Sequence, residues 1–164
     1  MLRQFASLIL VAGLTVSPAI AQNSGDIAKV REGKSCPGCN LFQAELSYKD
    51  AQKIDLSGAR LRQSNLALTT YDDANLSGAN LSIANLFGAR FNRANFSRAN
   101  LQNAIAVGTY FGASNLSGAD LTGANFSGAD LSLAKGLTQA QLNRACGDRN
   151  TILPKGKTIP NCAR

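Results

Sequence analysis

Large apolar side chains recur at almost every fifth position between Leu41 and Leu131, usually with alanine two residues earlier and Asn, Asp or Arg between them. Ala79-Asn80-Leu81 and Ala94-Asn95-Phe96 are examples. A helix repeats near 3.6 residues and a strand at 2, so a period of five excludes a long amphipathic helix and ordinary alternating strands. We therefore expect short extended segments that turn every five residues, with Ala and the following Leu facing the same side.

The consensus Ala-(Asp/Asn)-Leu-X-X resembles the pentapeptide repeat family over roughly residues 39 to 136. The resemblance implies an all-β fold, a right-handed quadrilateral β-helix with twenty residues per coil, in which the Ala and the central Leu or Phe point inward. About five coils would form a rod roughly 24 Å long at the usual strand spacing.

Residues twenty apart should stack on consecutive coils, and the sequence supports this independently of the five-residue period. One predicted inner column contains Ala51, Tyr71, Phe91, Phe111 and Leu131. On the outside, Asn75, Asn95 and Asn115 share a line that permits an amide ladder. Lys53, Asp73 and Arg93 share another line, along which opposite charges alternate.

Four segments are predicted along the chain. Residues 1–21 resemble a secretory signal peptide, with Arg3, an apolar run from Leu8 to Val16 and a small-x-small cleavage site ending at Ala21. Residues 22–40 are an N-terminal lead-in and cap, 41–136 the repeat, and 137–164 a C-terminal cap with a short helix near Thr138 to Cys146. We expect a periplasmic or secreted protein with no transmembrane segment after cleavage; an uncleaved N-terminal anchor is the alternative.

The cysteines lie at the two ends of the repeat, where a solenoid needs covering. In an exported chain four cysteines usually form two disulfides, here Cys36 with Cys39 and Cys146 with Cys162. The alternative for the Cys36-Pro37-Gly38-Cys39 segment is an exchangeable redox pair, although the helix that activates such a pair is not predicted after it. One zinc ion could not reach both cysteine pairs across the rod.

The residue types argue against catalysis. The chain has no histidine, which removes imidazole bases and histidine metal ligands. Asp72 and Asp73 are adjacent at a predicted turn, where a solvated corner is expected rather than a glycosidase-like carboxylate pair. We predict no catalytic residue, no cofactor and no metal site, and therefore no enzyme activity.

The formal charge of +7 is uneven. The repeat is nearly balanced, and the surplus lies in the C-terminal tail, at Arg144, Arg149, Lys155, Lys157 and Arg164. Such a tail could meet an anionic partner, but a solvated basic end is expected.

Two outer surfaces depart from the polar pattern. The first, which we call the apolar strip, comprises Leu68, Phe87, Ile105 and Val107, with Tyr48 and Ala67 on the same side. An exposed apolar strip predicts a contact with a partner protein or a second copy, unless the N-terminal segment folds over it. The second is a candidate patch for an anionic partner at Arg90, Arg93, Arg98 and Tyr110, for which a solvated face is the alternative.

The leading hypothesis for function is a non-catalytic exported scaffold or protein-interaction module. The alternatives are a thiol redox role through Cys36 and Cys39 and, from the resemblance, a DNA-mimicking gyrase inhibitor. Gyrase-inhibiting members of the family are acidic, whereas this chain is basic and carries a predicted leader, so nucleic-acid mimicry is disfavoured and direct nucleic-acid binding is not expected.

Overall fold

The computed structural model describes residues 23–163. The predicted signal peptide, residues 1–21, lies outside the described residues, as does Arg164 of the basic tail. Within residues 23–163, no helix has the length and hydrophobicity needed to cross a bilayer.

The repeat is a β-helix built from parallel bridges between residues twenty apart. The bridges run from Asn40↔Arg60 to Asn115↔Lys135 and occur at every fifth residue. At Asn80, for example, the backbone N–H donates to the Ala59 carbonyl at 2.9 Å, and the Leu81 N–H donates to the Asn100 carbonyl at 2.7 Å. Because the chain turns after each five-residue unit, the β-structure consists of isolated bridges and not of extended strands.

The predicted interior is confirmed. The Ala and the central Leu or Phe of the repeats are buried along the rod. In the aromatic column, the ring centroids of Tyr71 and Phe91 are 6.3 Å apart, and those of Phe91 and Phe111 are 5.9 Å apart. The predicted amide ladder also forms, with Asn95 donating to Asn75 and Asn115 donating to Asn95, each at 3.4 Å. Side chains twenty residues apart in the sequence therefore stack on consecutive coils.

A positive φ recurs two residues after the central inward residue of each five-residue unit from Gln43 to Gly128. Glycine supplies it at positions such as Gly78, whose φ is 63°. Ile83 holds the same conformation with a φ of 60°, which is rare for a β-branched residue. The cooperative pairing of neighbouring coils must offset this local strain.

The N-terminal end is closed by helix α1, Ser24–Arg31, which the sequence did not predict. Ile27 and Val30 are buried against the first coil. The Asp26 carboxylate accepts a hydrogen bond from the Asn40 N–H at 3.1 Å, and Arg31 Nε donates to the Glu45 carbonyl at 2.9 Å. These side chains replace the backbone partners that a further coil would provide.

The hydrogen-bond register extends back to Cys36, five residues before the predicted start of the repeat. The Cys36 N–H donates to the Asp55 carbonyl, and the Gly38 N–H donates to the Ser57 carbonyl, both at 2.8 Å. Cys36 is buried and occupies the inner position twenty residues before Leu56. Part of the predicted lead-in is therefore the first side of the β-helix.

The C-terminal end is covered by helix α2, Gln139–Leu142, which begins with a capping box between Thr138 and Gln141 and is shorter than the helix predicted near Thr138 to Cys146. The Gln141 side chain also donates to the carbonyls of Leu116 and Ala119 at 3.0 and 2.8 Å. Beyond α2 the chain resumes pairing, but in a slipped register: Cys146 bridges Asn125 and Ile152 bridges Asp130. The cap thus ends in an irregular coil.

Both predicted cysteine pairs are at disulfide distance. The Cα atoms of Cys36 and Cys39 are 5.5 Å apart, and those of Cys146 and Cys162 are 4.7 Å apart. The first pair ties the start of the repeat, and the second ties the irregular coil to the end of the chain.

Candidate interaction surface

The apolar strip lies on one side of the β-helix, which we call the second wall. This wall consists of the outward residues that flank the inner column Leu46, Leu66, Leu86, Ala106 and Phe126. Leu68, Phe87 and Ile105 are 45%, 49% and 46% exposed, and Val107 is partly buried. The structure therefore places the predicted residues together on an accessible surface.

Phe87 is at the centre of this wall. The Leu68 N–H donates to the Phe87 carbonyl at 2.8 Å, and the Gly88 N–H donates to the Val107 carbonyl at 2.9 Å. Ala67, Phe87 and Val107 consequently lie side by side on three successive coils. Their spacing is fixed by backbone hydrogen bonds, which makes the surface rigid.

One further exposed apolar residue, which was not predicted, lies near the strip. Ile83, 42% exposed, lies at the corner where the chain enters the second wall, two residues before Asn85. The signal was present in the sequence, because Ile83 occupies a turn position that glycine or a polar residue fills in most repeats.

The polar side chains of the second wall are hydrogen-bonded within the chain. Asn65 Nδ2 donates to both Glu45 carboxylate oxygens at 3.0 and 2.9 Å, and Asn85 Nδ2 donates to Asn65 Oδ1 at 3.1 Å. Hydrogen bonds from the Ser47 and Asn65 side chains lower the pKa of the Glu45 carboxyl. Ile105 bridges Asn85 on the next coil and interrupts this ladder.

Residues 23–40 do not cover the apolar strip. Helix α1 packs on the end of the first coil, through contacts with Asn40 and Glu45, and leaves Leu68, Phe87 and Ile105 exposed. The alternative that this N-terminal segment folds over the strip is therefore wrong for the part of the chain that the structure describes.

The candidate patch for an anionic partner carries less free positive charge than its sequence indicates. Arg90 donates to both carboxylate oxygens of Asp72, and Arg93 pairs with Asp73 at 2.6 and 2.7 Å. The Arg93 side chain lowers the pKa of Asp73. Two of the three predicted cationic side chains are thus occupied by neighbouring carboxylates.

The expectation of a solvated corner at Asp72 and Asp73 is wrong for Asp72. Its side chain is 8% exposed, and besides Arg90 it accepts a hydrogen bond from the Asn92 N–H at 3.1 Å. Of the other patch residues, Tyr110 bridges Arg90 on the next coil and its ring covers Gly112, whereas Arg98 is exposed at the next corner. The geometry on this wall favours internal ion pairs over ligand binding.

The Cys36–Cys39 pair is close to a carboxylate that the sequence did not reveal. Ligand atoms of Asp26, Cys36 and Cys39 lie within 4.8 Å of one another. Thiol exchange requires a free thiolate, and a neighbouring carboxylate disfavours a second negative charge. With the sulfurs paired and Cys36 buried in the repeat, the arrangement is that of a structural bridge.

Comparison with known proteins identifies the repeat. The model of the family described as pentapeptide repeats matches residues 54–93 and 94–132, in eight copies. No curated protein matches the chain.

Several solved structures are similar. HetL, a pentapeptide repeat protein involved in heterocyst differentiation regulation from the cyanobacterium Nostoc sp. strain PCC 7120, is 26% identical, with a TM-score of 0.43. The match covers 80% of this chain and 63% of HetL, so the chain spans less than two thirds of HetL's length. The pentapeptide repeat protein alr5209 from Nostoc PCC 7120 is 28% identical, with 85% of this chain and 91% of alr5209 covered and a TM-score of 0.38.

A third similar structure is that of QnrB1, a plasmid-mediated fluoroquinolone resistance protein, at 17% identity and a TM-score of 0.36, covering 78% of this chain and 87% of QnrB1. The five-residue register, the buried Ala and Leu or Phe positions and the eight matched repeat copies show that this chain belongs to the pentapeptide repeat family.

Proposed function

We propose that this protein is an exported, non-catalytic interaction module that binds a partner protein through the apolar strip on its second wall. The observation that carries the proposal is the exposure of Leu68, Phe87 and Ile105 on one wall, at positions that the repeat otherwise fills with polar residues or glycine. Contiguous exposed apolar residues mark contact surfaces far more often than isolated ones do.

The energetics of the wall support this role. Binding would remove apolar area from water, which is favourable by about 25 cal/mol per Å². The Asn65 and Asn85 amides already have partners within the chain, so covering them leaves few unsatisfied polar groups. The wall is also preorganised by backbone hydrogen bonds, which lowers the entropic cost of association.

The export part of the proposal rests on the sequence. The first 21 residues have the pattern of a signal peptide, and paired cysteines are typical of oxidising compartments such as the periplasm or the exterior. A protein in such a compartment can be stabilised by covalent bonds that restrict its unfolded chain. Disulfides at both ends of the repeat would serve that purpose.

The proposal also includes the finer geometry of the scaffold, a right-handed, four-sided winding of about five coils. Bridges at every fifth residue that join partners twenty apart support four sides per coil. Each side then presents its own outward columns, so that one wall can be apolar while its neighbour carries ion pairs.

The test is affinity capture from the envelope fraction with the purified chain as bait. Phe87→Ser combined with Val107→Ser should abolish capture, because both changes replace apolar strip residues with a residue common at the same position of other coils. Leu133→Ser is the matched control, since Leu133 is 63% exposed but lies on another wall. Equal capture by all three chains would exclude the strip as the binding surface.

The two alternatives are addressed by separate measurements. A supercoiling assay with the purified chain tests gyrase inhibition. Counting free thiols before and after mild reductant tests redox exchange: two resistant bridges are the outcome that the capped structure leads us to expect, and one labile bridge would favour exchange through Cys36 and Cys39.

A further inference from the structure

We propose that the partner on the second wall is a second copy of this chain, packed antiparallel around a two-fold axis at the level of Phe87. This inference rests on the proposed function, because it names the occupant of the same surface. It is carried by the order of large and small residues along the wall.

One outward column at the edge of the second wall runs from large residues to glycine. On successive coils it contains Tyr48, Leu68, Gly88, Gly108 and Gly128. Leu68 lies over Gly88, where an added β-carbon would come within 2.7 Å of its side chain. Gly108 has no described heavy atom within 4 Å of such a β-carbon, and Gly128 has only the Gly108 nitrogen at 3.9 Å. The column is therefore a ridge in its first half and a groove in its second half.

A two-fold axis that lies in the interface and crosses the rod at right angles reverses the order of the coils and keeps each column opposite itself. With the axis at Phe87, the ridge of one copy faces the groove of the other. Leu68 then meets Gly108, and Tyr48 meets Gly128. In the neighbouring column, Ala67 meets Val107, and the two Phe87 rings meet at the axis.

A parallel pair does not fit this surface. Its two-fold axis would run along the rod and place coils of the same level opposite each other. It would also exchange the two edges of the wall: with the axis on the Phe87 column, Tyr48 and Leu68 of one copy would face Glu45 and Asn65 of the other. Only the antiparallel arrangement therefore brings the ridge of one copy against the groove of the other.

The charge and hydrogen-bond pattern also suits self-association. Among the residues of the three outward columns of this wall, only Glu45 carries a charge, and the two-fold axis places it opposite the Asn125 amide. No like charges meet. Asn65 faces the apolar Ile105 in this register, but the Asn65 amide is already engaged by Glu45, Asn85 and the Ala67 N–H.

The wall is small, so the dimer should be weak. About five coils at ~4.8 Å, three residues wide at ~3.3 Å each, give a face of roughly 24 by 10 Å. Two such faces amount to roughly 480 Å², well below the value of about 1,000 Å² for a stable specific interface, so the association is weak and transient. We expect a dissociation constant on the order of 100 µM.

Sedimentation equilibrium of the purified chain between about 5 and 500 µM measures this association. Gly108→Asn should weaken it at least about 10-fold, because the new side chain fills the groove that receives Leu68; asparagine tolerates the φ of 65° at this position. Gly58→Asn is the matched control, with a φ of 64°, open space around the β-carbon and a position on a different wall. It should leave the dissociation constant unchanged.

A mixing experiment tests the antiparallel register. Leu68→Lys and Gly108→Asp should each dimerise poorly alone. An equimolar mixture should regain an affinity within about 3-fold of the unmodified chain, because the heterodimer pairs Lys with Asp at one contact and keeps Leu68 against Gly108 at the other. Failure of the mixture to associate would overturn the register.

The outcomes separate this inference from the proposed function. A chain that remains monomeric at 500 µM, or equal weakening by Gly108→Asn and Gly58→Asn, overturns self-association. If such a monomer still captures another protein and the Phe87→Ser, Val107→Ser variant does not, the proposed function stands and only the identity of the partner changes. A monomer that captures nothing overturns both.

Discussion

Tyr71→Phe should stabilise this protein, although the change removes a polar group from the middle of the rod. Tyr71 is fully buried in the aromatic column, and its hydroxyl has no hydrogen-bond partner among residues 23–163. A buried hydroxyl without a partner costs about 1–3 kcal/mol relative to its hydrated state. Phenylalanine keeps the ring that packs against Phe91 and removes this cost.

We therefore expect Tyr71→Phe to raise the free energy of unfolding by about 1–3 kcal/mol. For a chain of this size, each kcal/mol shifts the melting temperature by roughly 3–5 °C. Thermal and denaturant unfolding followed by circular dichroism measure the change. Tyr48→Phe is the matched control: Tyr48 is 77% exposed, so its substitution should stay within about 0.5 kcal/mol.

The pH dependence of the same pair of proteins provides a second test. Burial raises the pKa of Tyr71 to about 12, whereas an unfolded tyrosine titrates near 10. The folded state thus favours the neutral hydroxyl. The stability that this preference contributes is fully present below pH 10 and is lost as the pH rises from 10 to 12. The advantage of Tyr71→Phe should widen over that interval by on the order of 2–3 kcal/mol.

The reasoning would be refuted if Tyr71→Phe lowered the free energy of unfolding by 1 kcal/mol or more, since a loss of that size means that the hydroxyl has a partner. Absorbance titration of a chain carrying Tyr48→Phe and Tyr110→Phe, in which Tyr71 is the last tyrosine, locates its ionisation directly. An ionisation near pH 10 in the folded protein would show that the group is hydrated.

Three further predictions concern the ion pairs, the turns and the ends of the rod. Arg90→Ala should lower the denaturation midpoint more than Asp72→Ala does. The first change leaves the buried Asp72 carboxylate without its cation, whereas the second leaves an exposed Arg90 guanidinium that water can hydrate. Equal midpoints for the two variants would refute this asymmetry. Ile83→Gly should raise the free energy of unfolding by up to about 1 kcal/mol, because relief of the left-handed backbone strain exceeds the entropy that glycine adds to the unfolded chain. A decrease of about 1 kcal/mol in the free energy of unfolding, measured with urea, would contradict this prediction. Replacing Cys146 and Cys162 by alanine should lower the free energy of unfolding by about 3 kcal/mol, because the disulfide closes a loop of 16 residues. Hydrogen exchange should show that amide protection falls at the C-terminal coils. A uniform fall in protection along the rod would argue against a local cap.

The inside and outside of the repeat were predictable because one local rule applies at every coil. The five-residue period fixes which residues face inward, and the twenty-residue spacing then fixes which residues stack, as the column of Tyr71, Phe91 and Phe111 shows. The apolar strip followed from the same rule, since Phe87 and Ile105 occupy positions that the rule assigns to the surface.

Contacts that break the period were not predictable. Asp72 was expected to be solvated, but it is buried under Arg90, which lies eighteen residues away and not twenty. Helix α1 was missed because only Ile27 and Val30 of its eight residues are buried, which leaves little apolar pattern in the sequence. Its role depends on Asp26 and Arg31 meeting the open edge of the first coil. Neither contact leaves a periodic signal in the sequence.

The sequence by itself determined the repeating unit, the polarity of each position and the wall on which the apolar residues collect, because these follow from local turns repeated in register. Only the tertiary structure decided which outward side chains neutralise one another, how the two ends are closed and where Leu68 covers Gly88 to leave a ridge beside an open groove. These features depend on the reach of individual side chains across neighbouring coils, which spacing alone does not specify.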